Sequence, residues 1–366
     1  MRHRSNTHSS AIAWLPGNET ENLPSAVPQF WAGQKLTWSV IARVDGKAYS
    51  LFGVPNPGPN VEPASVISGS WTATHTTFVV TAGSASFVLE FMSPISPQDH
   101  VRQSMPFSYL TISVSGFGGK TPSVQVYSDI DNSWAGQFGV DVALGWNWAL
   151  TAGGTVLFTL TPGGAPKYSE DKDMAQWGSA VYGTTPNESN VTSHIGQMDA
   201  TRADFVANGR LTGEWKWTPG SVVAHTHDLG SVGGPSTPKN VTYVVGFVRD
   251  EAINYMGNPR SNYWRSACND INCAVVRMDL DFESADIEAR LFDVKLNNKA
   301  TAAGGAGYAD ILALSARQAF GAIDITIPHD SLSTNDVMIF MKEISRSVTL
   351  IIHLYHRMWK TRLTLV

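Results

Sequence analysis

The stretch Tyr109-Leu-Thr-Ile-Ser-Val114 alternates apolar and polar residues with a period of two. In an extended chain successive side chains point to opposite faces, so Leu110, Ile112 and Val114 share one face and the hydroxyl residues share the other. A strand of this kind packs its apolar face against another layer and turns its polar face toward solvent. The stretch therefore predicts a β-strand at one side of a packed core.

Similar segments recur from Ser39 to Val248, separated by Gly, Pro, Asn or Ser. The clearest further examples are Phe87–Phe91, Val124–Tyr127, Val156–Leu160 and Val241–Val248. Some loops between them are long, and the Pro-rich loop from Gly53 to Gly69 could carry a binding surface or act as a connector. Because no helical pattern intervenes, the segments predict a large antiparallel β-sandwich rather than an α/β sheet.

The period of the apolar residues changes after about Asp279 to that of an α-helix. The helical runs include Ile287, Leu291, Val294, Ile311, Leu312, Ser315 and Phe320. Gly304-Gly305 separates two predicted helices. Two helices joined by a short turn cannot bury their apolar stripes alone, so we expect residues 284–320 to present an uncovered apolar face.

The composition changes again after Ser345. From Arg346 to Val366 the chain has four Lys or Arg residues and no Asp or Glu. Such a segment is either a basic amphipathic tail or the product of a frame shift or retained intron, and we favour the second interpretation. The sequence thus predicts a disordered N-terminus (1–13), a β-sandwich domain (14–278), the start of a helical domain (279–345) and an aberrant basic tail (346–366).

The composition is that of a folded protein, with 43% hydrophobic and 16% charged residues in a chain of 366. The formal net charge of −5 provides no basic field that would attract phosphate, so we expect no nucleic-acid partner. No stretch of about 18 uncharged apolar residues is present, and we therefore expect no membrane span.

The N-terminus, Met1 to Ser10, is basic and polar with no apolar segment behind it, so it is not a signal peptide as written. Four Asn-x-Ser/Thr sequons nevertheless suggest a secreted glycoprotein. The candidate glycosylation sites are Asn18, Asn187, Asn190 and Asn240. A secreted protein whose gene model lost its leader would explain both observations.

Two cysteines and a pair of histidines are the candidates for a disulfide or a metal site. Cys268 and Cys273 are five residues apart, and either a disulfide or two free thiols is compatible with this spacing. Structural zinc takes four ligands, and no second pair at ligand spacing lies nearby. His225 and His227 would share a strand face, but no third ligand is identifiable, so we expect neither a metal nor a cofactor.

Carboxylates and arginines near strand ends are the remaining candidates for chemistry. Asp129 and Asp131 would lie on one side of an extended segment, where paired carboxylates can serve hydrolysis or bind calcium. We favour a structural role, in which such acids accept hydrogen bonds in turns. Arg102 and Arg249 are expected to pair with neighbouring carboxylates. The chain has neither a Gly-x-Ser-x-Gly elbow nor a P-loop.

Ten segments, in order from residue 14 to residue 345, resemble the fungal-type glutaminase A family. They are Trp14–Gly17, Phe30–Gly33, Ile41–Gly46, Ser93–Pro97, Arg102–Leu110, Val124–Ile130, His227–Gly230, Gly246–Asp250, Tyr308–Gln318 and Phe340–Ser345. Members of this family carry an N-terminal β domain followed by a helical domain of the six-hairpin type. The resemblance implies a mainly β chain with a C-terminal α segment, in which the sandwich precedes the first helices of an incomplete (α/α)6-type domain.

The resemblance also implies a secreted amidohydrolase that converts L-glutamine, a small-molecule substrate, to L-glutamate and ammonia. The catalytic cleft of six-hairpin enzymes lies in the helical domain, so we expect this chain to be inactive alone, and no catalytic residue can be assigned. The matched polar residues of unknown role are Arg102, Asp129, Asp228, Arg249, Asp250 and Asp310.

Two other functions stay open. The sandwich could bind carbohydrate or cell wall without catalysis through its tryptophans, although buried tryptophan is commoner than a binding platform. These tryptophans are Trp134, Trp146, Trp148 and Trp177. Alternatively, the chain could be a fragment of a glycoside-hydrolase-like enzyme, because function at the level of a fold rests on analogy.

Overall fold

The computed structural model describes residues 23–28, 35–135, 144–151, 154–164, 166–171, 174–186 and 189–341. The predicted disordered N-terminus, the predicted basic tail and the sequons at Asn18 and Asn187 lie outside these residues. Within the described part, antiparallel sheets precede two long C-terminal helices, which confirms the predicted fold class.

Two sheets form the sandwich. The six-stranded sheet contains β1 (Trp38–Val44), β2 (Lys47–Phe52), β3 (Val61–Pro63), β8 (Ser123–Asp131), β14 (Asn190–Gln197) and β15 (Ser221–Ser231), in the order β14-β15-β8-β1-β2-β3. The eight-stranded sheet contains β4 (Ser65–Trp71), β5 (His75–Ala82), β6 (Ala85–Met92), β7 (Phe107–Gly116), β9 (Leu144–Leu150), β10 (Val156–Pro162), β13 (Ser179–Thr184) and β16 (Lys239–Val248), in the order β4-β5-β6-β7-β16-β13-β10-β9. All their pairs are antiparallel except β2–β3, and β11 (Glu170–Asp171) and β12 (Met174–Ala175) form a separate small ribbon.

The main core lies between the two sheets. The predicted strand at Tyr109–Val114 is part of β7, where Leu110 pairs with Tyr243 and Ile112 with Val241 of β16. Trp38 is fully buried, and its ring lies edge-on to neighbouring aromatic rings. Because aromatic side chains each bury a large area, these contacts hold the two sheets together.

Both sheets are also covered on their outer faces. Phe205 of α2 (Met198–Asn208) packs against Ile41 and Tyr127 of the six-stranded sheet. The helix α3 (Ile271–Gly304) packs through Ala274 and Met278 on the outer face of the eight-stranded sheet. This double burial explains why β15 and β16 are almost continuously buried rather than alternating along their length.

The pair of acids in β8 has the structural role that the sequence favours. Asp129 is fully buried and accepts hydrogen bonds from Arg202 Nε (2.7 Å) and Nη2 (3.0 Å) and from Tyr127 Oη (2.6 Å). Asp131 accepts hydrogen bonds from the hydroxyl of Thr37 at 2.7 Å and from the backbone N–H of Ser133 at 2.9 Å. Asp129 therefore fixes α2 to the sheet, and Asp131 fixes a turn.

The C-terminal part combines helices with a four-stranded sheet. Its helices are α3 and α4 (Ala306–Gly321), and α1 (His100–Ser104) lies in the connection between β6 and β7. Its strands are β17 (Ile253–Tyr255), β18 (Asn258–Asn262), β19 (Ile323–Pro328) and β20 (Met338–Met341). The chain turns between the helices at Gly305, whose φ of 80° favours glycine, as the sequence predicts.

The start of α3 is held by a cap and a disulfide. Asp270 is the N-cap residue and accepts a hydrogen bond from the backbone N–H of Cys273 at 2.8 Å. Cys268 and Cys273 are joined as a disulfide across a Cα–Cα distance of 5.4 Å. Together these contacts fix the direction in which α3 leaves the sandwich.

The C-terminal part differs from the sequence analysis in two places. The helix α3 begins at Ile271, so the predicted domain boundary at 278/279 falls inside it. The two helices are followed by the strands β19 and β20, which the sequence analysis did not identify, and Phe340 lies in β20. Short strands such as Met338–Met341 carry too few residues for a period of two to be distinguished from helical spacing.

The helical pair presents the uncovered apolar face that the sequence predicts. Ile287, Leu291 and Val294 of α3 are more than half exposed, as is Ile311 of α4. The three residues of α3 lie opposite the face of that helix that contacts the sandwich. Among the described residues, no helix is both long enough and apolar enough to cross a membrane.

We predict that this apolar face makes the chain self-associate. Replacing Ile287 and Leu291 with Lys should lower the sedimentation coefficient while changing the free energy of unfolding by less than about 0.5 kcal/mol, because both side chains are exposed. The control Ile67→Lys, on the equally exposed Ile67 of β4, should leave association unchanged. A natural chain that is monomeric at every concentration in analytical ultracentrifugation would contradict this prediction.

Candidate functional site

Helix α3 presents carboxylates at intervals of seven residues, at Asp279, Asp286 and Asp293. Seven residues are close to two helical turns, so these side chains lie on one face, and that face contacts the ends of sandwich strands. Asp279 accepts hydrogen bonds from the hydroxyls of Thr155 (3.1 Å) and Thr185 (2.7 Å). The other two carboxylates surround a buried histidine. We call the contact of the helices α3 and α4 with the sandwich and with α1 the seam.

His75, the first residue of β5, is the centre of the seam. Its Nε2 lies 2.9 Å from Oδ1 of Asp286, and its Nδ1 lies 2.7 Å from Oγ1 of Thr74 and 3.3 Å from Oδ2 of Asp293. The Thr74 hydroxyl donates its single proton to Asp293 at 2.6 Å, so it accepts from the ring. Nδ1 therefore carries a proton, and Nε2 faces the carboxylate of Asp286.

Asp293 is the most buried carboxylate of the seam, with 8% of its surface exposed. Burial raises the pKa of Asp293, but hydrogen bonds from His75, Thr72 and Thr74 outweigh burial and hold the pKa below its ordinary value. Its Oδ1 also accepts a hydrogen bond from the backbone N–H of Thr74 at 3.1 Å. Asp293 thus fixes the turn between β4 and β5 to α3.

Arg290 links two acids at the edge of the seam. Its Nε donates to Oδ2 of Asp286 at 3.0 Å, and its Nη2 donates to Glu90 of β6. In the part of the chain that the structure describes, His75, Glu90 and Asp286 form the one group able to hold a metal ion, since their donor atoms lie within 4.8 Å of one another. Glu90 also accepts a hydrogen bond from the hydroxyl of Thr77 at 3.1 Å.

Arg102, one of the matched residues, forms a second ion-pair centre of the seam. Its Nε and Nη2 donate to the two carboxylate oxygens of Asp281 at 2.6 and 2.8 Å, and its Nη1 donates to Glu288. The hydrogen bond to Asp281 raises the pKa of Arg102 above its ordinary value. Because Asp281 and Glu288 are also seven residues apart, this ion-pair centre fixes α1 against the same helix.

Arg317, in the matched segment of α4, completes the seam from the other helix. It donates from Nε to the backbone oxygen of Thr72 at 2.5 Å, and from Nη2 to the backbone oxygen of His75 and to the hydroxyl of Thr76 at 3.0 Å. Burial lowers the pKa of Arg317 to about 10. Its guanidinium lies over the ring of Trp71, 5.8 Å from the centroid.

The other matched residues lie apart from the seam centre. Arg249 forms an ion pair with Asp324 at 3.0 Å and lies over Trp177. Asp228 accepts hydrogen bonds from the side chain of Gln125 and the backbone of Gly230. Asp250 is exposed and accepts from the hydroxyl of Ser261, and Asp310 is exposed on α4. The structure therefore does not bring the six matched residues into one site.

The histidine pair of β15 forms no metal site among the described residues. His227 contacts the hydroxyls of Thr184 (2.8 Å) and Ser189 (2.7 Å), and His225 contacts the hydroxyl of Ser193 at 2.8 Å. Burial lowers the pKa of both histidines to about 3, so both rings are neutral at ordinary pH. Both side chains are buried in the strand β15.

A second polar cluster lies near Glu251, at the end of β16. The hydroxyl of Ser261 lies 2.7 Å from Nδ1 of His329, whose Nε2 lies 3.4 Å from Glu251. Glu251 also accepts hydrogen bonds from Lys167 and Tyr168, which lower its pKa. The order of Ser, His and Glu resembles a catalytic triad, but Ser261 is 0% exposed, so no substrate reaches its hydroxyl here.

The surface features predicted from the sequence are only partly within the described residues. Asn190 and Asn240 are exposed at the starts of β14 and β16, where a glycan could attach. Of the four tryptophans, Trp134 is buried, and Trp146 and Trp148 are 40% and 42% exposed on β9. Glycosylation and carbohydrate binding stay predictions.

The centre of the seam was not identified from the sequence. His75 is separated by 211 residues from Asp286, so no local motif joins them. The signal that could have found the seam is the spacing of acids in α3, at 279, 286 and 293 and again at 281 and 288. Each set of acids marks one side of the helix, but the spacing does not say which strands that side contacts.

Comparisons with known proteins agree on one family. A model described as "Domain of unknown function (DUF5127)" matches residues 74–299, and the "Glutaminase A six helical-hairpin domain" matches residues 305–350. The chain is 30% identical over 333 residues to a protein named "Glutaminase A" from Aspergillus oryzae (strain ATCC 42149 / RIB 40), covering 87% of this chain and 46% of that protein. It is 26% identical over 365 residues to a "Probable glutaminase/05536" from Arthroderma benhamiae (strain ATCC MYA-4681 / CBS 112371), covering 88% of this chain and 40% of that protein. The chain thus spans less than half the length of both relatives.

We predict that Asp293→Asn destabilises the chain in a pH-dependent way. The folded-state pKa of Asp293 lies below its unfolded pKa of about 4. The ionised carboxylate therefore stabilises the fold above the unfolded pKa. This stabilisation is lost as the pH falls through the folded-state pKa. The difference in free energy of unfolding between the natural chain and the variant should therefore be largest near pH ~6 and shrink below pH ~4.

Urea unfolding between these pH values measures that difference. The control Asp310→Asn, which changes an exposed carboxylate on α4, should have little effect at any pH. A difference for Asp293→Asn that stays constant down to the lowest pH would show that the ionised carboxylate does not stabilise the seam.

Proposed function

Since the chain belongs to the glutaminase A-type family, we propose that the whole protein hydrolyses the side-chain amide of L-glutamine to give L-glutamate and ammonia. The observation that carries this proposal is the 30% identity to a protein named "Glutaminase A", which extends over the sandwich and the helical pair together. The proposed reaction takes a small-molecule substrate, and by the same resemblance the whole protein is secreted.

We further propose that the residues described here form the frame of the enzyme rather than its catalytic centre. A general base or nucleophile must have a lone pair available to substrate and water. In the seam, Asp279, Asp281, Asp286 and Asp293 are each engaged by hydroxyl, guanidinium or imidazole groups. The uncovered apolar face of α3 and α4 supports further helices packing there, in line with the match to a six-hairpin domain.

Ammonia release from L-glutamine tests both proposals. The purified 366-residue chain should release no more ammonia than a protein-free blank, and the relative from Aspergillus oryzae serves as the positive control. A chimera in which the remainder of that relative follows Met341 should release ammonia, because it combines this frame with a complete helical domain. Ammonia should appear together with an equal amount of glutamate.

Two results would contradict the proposals. If the 366-residue chain releases ammonia, and Asp286→Asn abolishes this release while the fold is retained, catalysis lies in the seam. If a folded chimera hydrolyses glycosides but not glutamine, the amidohydrolase proposal is wrong, and the glycoside-hydrolase alternative replaces it.

A further inference from the structure

The centre of the seam holds more acidic than basic side chains. The carboxylates of Glu90, Asp286 and Asp293 face the guanidinium groups of Arg290 and Arg317 around the imidazole ring. The three carboxylates therefore outnumber the two guanidinium groups by one. Partly buried charges are costly unless they are paired, so a further cation in this site would be stabilised.

The orientation of His75 shows where that cation would lie. Its Nδ1–H is directed at Thr74 and Asp293, so in a neutral ring Nε2 carries a lone pair. Nε2 lies 2.9 Å from Oδ1 of Asp286, so either a hydrogen-bonded proton or a shared cation joins these two atoms. Metal-binding histidines have this geometry, with one nitrogen on the metal and the other donating to a carboxylate.

We propose that His75 Nε2, a carboxylate oxygen of Asp286 and a carboxylate oxygen of Glu90 bind a divalent cation of the zinc class. Their donor atoms already lie within 4.8 Å of one another, so small side-chain rotations would bring them to one ion. One imidazole with two carboxylates suits zinc better than calcium or magnesium, which prefer oxygen ligands alone. Three protein ligands leave a fourth position for water.

The surrounding residues support such a site. Arg290 holds Oδ2 of Asp286 at 3.0 Å and also donates to Glu90, so it orients both carboxylates while leaving Oδ1 of Asp286 to the ion. The side chains of Asp286 and Glu90 are 25% and 21% exposed, which gives an ion access from solvent. Because the ligands come from β5, β6 and α3, the ion would join the sandwich to the helical part.

Zinc titration of the full 366-residue chain tests the proposal. After removal of metals with a chelator, calorimetric titration with zinc chloride should show a site with one ion per chain. The melting temperature should rise with zinc concentration, because the ion binds the folded chain only. Magnesium and calcium chloride should produce neither effect at the same concentrations.

Matched variants locate the ion. His75→Gln should abolish this binding event, and Asp293→Asn, which removes only the partner of Nδ1, should weaken it about 10- to 100-fold. His329→Gln is the control, because His329 also lies beside carboxylates and is 28% exposed, and it should bind zinc as the natural chain does.

The proposal is overturned if the natural chain binds no zinc up to millimolar concentration. It is also overturned if zinc binding is lost in His329→Gln and kept in His75→Gln. Should His75→Gln fail to fold, Asp286→Asn replaces it, and zinc affinity equal to that of the natural chain would then contradict the assignment.

Discussion

One acidic face of α3 determines how the helical part is placed on the sandwich. The carboxylates of Asp279, Asp286 and Asp293 follow one another at seven-residue intervals. Asp279 accepts from threonines near β10 and β13, and the other two contact the start of β5. The apolar contacts of Met278 with the outer face of the eight-stranded sheet supply burial, but such contacts alone would tolerate sliding. Directional hydrogen bonds to the carboxylates fix the register of the helix, because a shift by one turn would leave the buried Asp293 and the partly buried Asp279 and Asp286 unpaired.

The consequences of that contact extend to the opposite face of α3. If the polar residues of α3 all faced solvent, its apolar stripe would be buried against the sandwich. Instead, the stripe formed by Ile287, Leu291 and Val294 is exposed. The sandwich therefore holds the helix in an orientation that presents apolar residues outward. In a family whose helical domain contains six hairpins, this orientation provides a surface on which further helices can pack.

The sequence was sufficient to predict the sandwich but not the seam. Alternation along Tyr109–Val114 predicted a strand of the core, and Gly304-Gly305 predicted the turn between the two helices. The four-stranded sheet was missed because strands such as Met338–Met341 are too short to show a period. His75 was missed because its partners are supplied by tertiary packing, which no spacing within one sequence reveals.

The most direct test of this account is the coupling between Arg102 and Asp281, measured as a double-mutant cycle in urea with Arg102→Met and Asp281→Leu. These side chains form the bidentate ion pair that joins α1 to α3 across the seam. If directional hydrogen bonds to the carboxylates of α3 hold the helix in register, the coupling energy should be about 1.5–3 kcal/mol, as for a charged hydrogen-bonded pair. A coupling energy below about 0.5 kcal/mol would show that apolar packing alone positions α3.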